Sequence, residues 1–183
     1  MDAPCPDVIL IRGAPGTGKT ETARALARHF RHGVWIEVDT VRAMVVSVDW
    51  TSQQEHISML SLATELVAGF LRRGLRPVMV VDTFSGNKVD RFLEELRAAR
   101  PDADVRSFAI VAAPDVLRAR VENRRDDQFR DHVVCQKLNA DVLRHLRPDD
   151  CLIDNSALTP EQTAEAILLQ CPPNRSPESS VGC

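Results

Sequence analysis

Short, unbroken apolar runs alternate with helical periodicities along most of the chain. Val8-Ile9-Leu10-Ile11 is the first run. A run of this length without polar alternation predicts a strand buried on both faces. From Thr20 to Phe30 the apolar positions Ala23, Leu26, Ala27 and Phe30 share one helical face, and Gly33 closes the segment. Val34 to Asp39 reads as a second strand, with Glu37 and Asp39 two apart and therefore on one side. A short helix is expected over Thr40–Val48, with Val41, Met44 and Val45 inward, before a loop that reaches Ser52. Ile57, Leu60, Thr64, Val67 and Leu71 predict a long helix from Gln53 to Arg73, capped by Gly74. Pro77 opens the strand Val78–Val81, which stops at Asp82, and Thr83 to Asn87 reads as a loop. Val89, Phe92, Leu93 and Leu96 mark a helix that ends before Pro101, and Val105 to Ala112 is the next strand. Pro114-Asp115 starts a helix expected to run into the Arg-rich segment from Arg118 to Arg130. Val134, Leu138, Val142 and Leu146 give another helix, Cys151-Leu152-Ile153 a last strand, and Thr159-Pro160-Glu161 the start of a last helix.

Strands thus alternate with helices five times. The expected class is α/β: a five-stranded parallel sheet flanked by helices on both faces, in three layers. Right-handed crossovers in such a sheet place ligands beyond the carboxyl ends of the strands. The Gly-rich stretch after Ile11, Asp39, Asp82 and Asn155 all fall at such ends. One domain is expected over residues 1–171, and the Pro/Ser-rich tail from 172 to 183 is expected to be disordered.

Composition changes this picture little. The hydrophobic share of 44% and charged share of 27% are ordinary for a globular domain of 183 residues. A net charge of −3 disfavours a long non-specific nucleic-acid interface. Five cysteines with no CxxC pair read as reduced thiols, which points to the cytoplasm. No signal-peptide pattern opens the chain, no apolar run reaches membrane-spanning length, and no membrane partner is expected.

The candidate chemistry starts at Gly13-Ala14-Pro15-Gly16-Thr17-Gly18-Lys19-Thr20, which fits G-x-x-x-x-G-K-[ST] between a strand and a helix. The glycines let successive N–H groups point into one hollow, and the helix after Lys19 adds its positive end. Lys19 can reach the β- and γ-phosphates of ATP, and the Thr20 hydroxyl can hold Mg²⁺. Thr22, just inside the helix, joins the nucleotide set. Asp82 ends an apolar strand and is the second candidate for the metal; its alternative role is an Asx-turn or cap. Asp39 can accept the proton of an acceptor hydroxyl, or cap the helix that follows. Arg42 lies three residues on, placed to bind an anionic group of the acceptor or to pair with Asp39. Glu37 can share the metal or merely line the strand. Arg118, Arg120, Arg124, Arg125 and Arg130 crowd one stretch together with Asp126, Asp127 and Asp131. That is either a solvated mixed-charge helix or a lid, about 118–131, whose Arg120 and Arg124 share a helical face and reach the phosphates. Asn155 and Ser156 border the adenine or form the turn into the last helix. Trp50 and Phe84, on the acceptor-side loops, are candidates to stack on an acceptor ring. Asn87-Lys88-Val89-Asp90 spells the guanine-reading N-K-x-D, but five residues after Asp82 and with no preceding D-x-x-G; Asn87 is better read as a helix N-cap.

With VDTVR (Val38–Arg42), VVDTF (Val80–Phe84) and RARVENRR (Arg118–Arg125) following the Gly-rich loop in that order, the chain resembles the small P-loop kinases of the nucleoside-monophosphate-kinase-like fold. Within them it is similar to the kinase domain of polynucleotide kinases and to chloramphenicol phosphotransferase. The resemblance covers roughly Val8 to Gln170 and implies a P-loop NTPase fold with a short Arg-rich lid. It also implies Asp39 as the catalytic base, Arg120 and Arg124 as lid arginines, and ATP with Mg²⁺ as cofactors. The D-x-x-R pairing of Asp39 with Arg42 looks more like the polynucleotide kinases, where the Arg helps hold an acceptor phosphate. No phosphatase domain accompanies the kinase-like segment here, and aromatics make up only 4% with no Tyr, so base-stacking platforms are scarce. These residues do not determine the acceptor; a kinase acting on a hydroxyl of a small-molecule acceptor is the first expectation. A 5′-hydroxyl polynucleotide or nucleotide acceptor is the second, and a non-catalytic nucleotide-dependent switch the third.

Overall fold

The computed structural model describes residues 5–125 and 129–173. Five strands, β1 (Val8–Arg12), β2 (Val34–Glu37), β3 (Val78–Asp82), β4 (Val105–Val111) and β5 (Asp150–Asp154), form one sheet in the order β2-β3-β1-β4-β5. All four pairings are parallel, with Leu10 opposite Val80 on one side and Ser107 on the other. Helices α1 (Lys19–Ala27), α2 (Val38–Arg42), α3 (Gln53–Arg72), α4 (Lys88–Ala99), α5 (Pro114–Glu122), α6 (His132–Arg144) and α7 (Pro160–Leu168) fill the connections.

β1 and β3 are buried at every position, because side chains alternate between two covered faces. Val8, Leu10, Val78 and Val80 pack under α3 and α4 through Leu60, Val67, Phe92 and Leu96. Ile9, Ile11, Met79 and Val81 face the other way, onto Ala23 and Leu26 of α1 and Ile167 of α7. Each such side chain stabilises the fold by about 1.5–3 kcal/mol relative to an exposed one. The helix starts are set locally: Ser52 accepts the Glu55 N–H, Asp131 the Val134 N–H, and Thr159 forms a reciprocal capping box with Gln162.

Two expected boundaries move, and one expected cap is not made. β2 ends at Glu37, and Val38 to Arg42 is already helical, so Asp39 lies in the first turn of α2 rather than at a strand end. The cause is packing: Val38 and Val41 enter the same core cluster, and residues three apart share a face on a helix but not on a strand. α5 stops at Glu122. After Val121 the chain offers no apolar side chain until Phe129, so no packed face holds another turn. Arg120 and Arg124 therefore do not share a helical face. Finally, Asn87 occupies the N-cap position of α4, yet its side chain makes no capping hydrogen bond.

Arg12, the last residue of β1, is fully buried. Its guanidinium pairs with Asp150 at 3.1 Å and donates to the carbonyls of His145 and Phe84. Burial pulls its pKa down, and the Asp150 carboxylate opposes that pull. Residues 126–128 of the expected lid and the tail from 174 lie outside the described residues.

Candidate active site

The loop between β1 and α1 is over-determined. A Cβ on Gly13 would sit 2.5 Å from the Ile110 carbonyl oxygen and 2.6 Å from Thr17 Oγ1. Gly18, with φ of +91°, holds the N-cap position of α1. Thr17 Oγ1 donates to the Ala14 carbonyl at 2.9 Å, and Asn155 Nδ2 donates to the Thr17 carbonyl at 2.6 Å. Asn155 also accepts from Arg120, which reaches both its Oδ1 and its backbone carbonyl at 2.9 Å. The turn after β5 thus fastens the loop and α5 together.

Above the loop lies a cleft of about 780 Å³. Its floor is Pro15, Gly16, Gly18, Lys19 and Thr20; Glu37 and Asp39 stand on one side, and Arg120, Arg124 and Arg125 are among its other lining residues. Burial draws the Lys19 ammonium below its ordinary range, with Asp82 and Asp39 pulling the other way. Thr20 Oγ1 donates to Glu37 at 2.6 Å, so Glu37 joins the hydroxyl rather than simply lining the strand. For Asp82, burial pushes the carboxyl upward, but the hydrogen bonds from His56 and the Phe84 N–H, together with Lys19, outweigh it and leave it below the usual value. Asp39 is shifted the opposite way, by desolvation and by repulsion from Asp82. Its side chain is 61% exposed, so water screens that effect.

Thr20, Glu37 and Asp82 are hard oxygen donors that suit Mg²⁺. Among the described residues no group of three or more His, Cys, Asp or Glu side chains could cage a metal by itself. A cation held by such donors would need phosphate and water oxygens to complete its shell, which is the usual habit of Mg²⁺.

Other expected residues land elsewhere. Phe84 is fully buried and packs edge-on against Phe92 at 5.3 Å, so it does not reach an acceptor. It also adopts φ of +48°, which turns the chain after β3. Thr22 is buried with its hydroxyl unpartnered, on the core side of α1 and away from the cleft. Both polar ends of the Asn155 side chain are engaged in fastening the loop, not directed at an adenine. Arg124 lines the cleft, and its guanidinium donates to the Phe129 carbonyl at 2.9 Å. Arg42 is buried, 3.9 Å from Asp39, with its guanidinium 4.7 Å from the centre of the Trp50 ring. Two contributors were missed by sequence reading. His56 sits within the apolar stripe of α3, and Arg12 directly follows the apolar run of β1. A polar residue at a core-facing position was the available signal in both cases.

Comparison with known proteins agrees with this architecture. The model of a family described as AAA domain matches residues 8–148. The fold is similar to that of a sugar kinase from Janibacter sp. HTCC2649, with TM-score 0.69 and 18% identity over 92% of this chain and 96% of that one. It is similar as well to the tunicamycin resistance protein of Deinococcus radiodurans, with TM-score 0.70 and 23% identity over 94% and 99%. A gluconokinase from Sinorhizobium meliloti 1021 gives TM-score 0.64 and 18% identity over 90% and 92%. No curated protein sequence matches the chain. No helix among the described residues is long and apolar enough to cross a membrane. The family match spans most of the sheet, the Gly-rich loop and the Arg-rich segment: the chain belongs to the AAA domain family and has the fold of a small P-loop kinase.

Proposed function

We propose that this chain is an ATP- and Mg²⁺-dependent kinase that transfers the γ-phosphoryl group to a hydroxyl of a small-molecule acceptor. One observation carries the reading: Lys19, Asp39, Arg120 and Arg124 line a single cleft above a phosphate-binding loop. In the transfer, the acceptor oxygen bonds to the γ-phosphorus as the bond to the bridging oxygen breaks and ADP leaves. Asp39 takes the acceptor's proton, and its raised pKa and open position suit a base that meets a mobile substrate. Lys19 and the loop N–H groups hold the β- and γ-phosphates, and Arg124 and Arg120 stabilise charge on the moving group. Thr20 and Asp82 would hold Mg²⁺, with Glu37 beside Thr20, and the ion would supply neutralisation of phosphate charge.

A nucleic-acid 5′-hydroxyl or a nucleotide is the second acceptor reading. Buried Arg42, stacked on exposed Trp50 beside Asp39, favours it as a seat for an anionic group next to a ring. The test is acceptor-dependent ADP release across nucleosides, sugars, antibiotics and a 5′-hydroxyl oligonucleotide. One class should raise release above the water background, and Asp39→Asn should abolish it. Salt-sensitive oligonucleotide binding selects the second reading. Tight nucleotide binding with no transfer to any acceptor favours a nucleotide-dependent switch instead.

A further inference from the structure

His56 interrupts an apolar stripe. Leu60, Ala63 and Val67 follow it at helical spacing on the face of α3 that covers the sheet, and His56 itself is 8% exposed. A leucine would continue that stripe without burying a polar ring. Instead both ring nitrogens are engaged. Nε2 lies 3.1 Å from Asp82 Oδ1, and Nδ1 lies 3.3 Å from the Lys88 ammonium. An ammonium only donates, so the arrangement that satisfies both neighbours puts the ring hydrogen on Nε2, donating to Asp82, and leaves Nδ1 to accept.

Lys88 is itself held. Its ammonium also donates to Gln53 Oε1 at 2.8 Å and to Ser85 Oγ at 3.2 Å, so all three hydrogens have acceptors. That explains the lysine of the N-K-x-D string without any guanine. At the other end, the second oxygen of Asp82 accepts the Phe84 N–H at 2.9 Å. A carboxylate gripped on both oxygens by fixed donors cannot rotate, and its remaining lone pairs keep one direction. The first turn of α3, next to the acceptor-side loop, is thereby joined to a carboxylate on the nucleotide side.

We propose that His56, held by Lys88, is a positioning residue that fixes Asp82 in the orientation that serves the Mg²⁺–nucleotide complex. The inference rests on the kinase reading and adds a residue to it. Groups that orient a metal's carboxylates commonly change metal affinity about 10–100-fold when removed. A purely structural pairing would lower stability and leave metal dependence alone.

The experiment measures binding of a fluorescent ADP analogue to the full chain at increasing Mg²⁺ and in EDTA, with thermal unfolding of each variant alongside. His56→Leu should raise the half-saturating Mg²⁺ about tenfold and leave binding in EDTA unchanged. His56→Gln can still present an N–H near the Nε2 position, and it should return to within about threefold of the parent protein. Lys88→Met, nearer the surface, should shift Mg²⁺ dependence in the same direction by about threefold, which keeps the test open if His56→Leu does not fold. An unchanged Mg²⁺ dependence in folded His56→Leu or in Lys88→Met overturns the proposal, as does glutamine behaving like leucine. A parent protein that binds no nucleotide sinks the kinase reading itself, a result separable from the others.

Discussion

The two sides of the cleft are built differently. On the nucleotide side, the loop from Gly13 to Thr20 is pinned by contacts from far along the chain: the Ile110 backbone against Gly13, Asn155 on Thr17, and Arg120 on Asn155. On the other side, around Asp39, α2 is five residues long, and Met44, Val46 and Trp50 beyond it are largely exposed. The hydrogen bonds of the segment beyond α2 are short-range, such as Arg42 on the Asp49 carbonyl and Thr51 on the Asp49 carboxylate, while Val38 and Val41 tie α2 itself to the core. Phosphate geometry is the same for any acceptor, so one side can be rigid. In the proposed kinase the region beyond Asp39 would select the acceptor, and it has few such constraints to break when it changes.

That contrast can be attacked from either side. The largest expected effect is on turnover. Asp39→Asn should lower kcat about 10²–10⁴-fold and leave the nucleotide Kd within about twofold, by steady-state kinetics and fluorescence titration. On the rigid side, Asn155→Ala strips a partner from the Thr17 carbonyl and from Arg120. It should cost about 1–3 kcal/mol of stability in urea and weaken nucleotide binding too. Trp50→Ala, on the open side, should cost less than about 1 kcal/mol and leave nucleotide binding untouched, while the KM for the acceptor rises several-fold. An equal loss of stability at Trp50 and Asn155 would erase the distinction.

The smallest effect is a difference in sign with pH. Asp82 has a lowered folded pKa, so its contribution is complete above the unfolded value of about 3.9 and fades as pH falls through the folded one. Asp39 has a raised folded pKa, so its charge costs stability as pH rises from about 3.9 through the folded value. Thermal unfolding from pH 2 to 7 should show the deficit of Asp82→Asn growing up to about pH 4 and staying constant above it. Asp39→Asn should draw slightly ahead over the same range.

Sequence reading located the parallel sheet and the Gly-rich loop; of Asp39, Asp82 and Asn155, which it gathered with that loop at one sheet edge, only Asp39 lines the cleft above it. Those features depend on local periods and on the rule that strand ends gather ligands. It failed where a side chain's role depends on what packs against it. Phe84 looked like a loop aromatic, and only the contact with Phe92 makes it core. Asn155 looked like a residue beside the nucleotide, and its partner, the Thr17 carbonyl, lies 138 positions away. The shared helical face of Arg120 and Arg124 assumed that charge alone would extend α5, where no apolar anchor follows Val121. Glu37 was left between two roles that a single hydrogen bond to Thr20 separates.

Arg12 bears on how the protein is made. It immediately precedes the phosphate loop, and its buried charge is balanced by Asp150, 138 residues later. During synthesis the first strand leaves the ribosome long before that counter-charge exists, and a buried guanidinium without its carboxylate is strongly disfavoured. A chain that has not yet made β5 leaves the Arg12 guanidinium without its carboxylate, and that disfavours burying the end of β1.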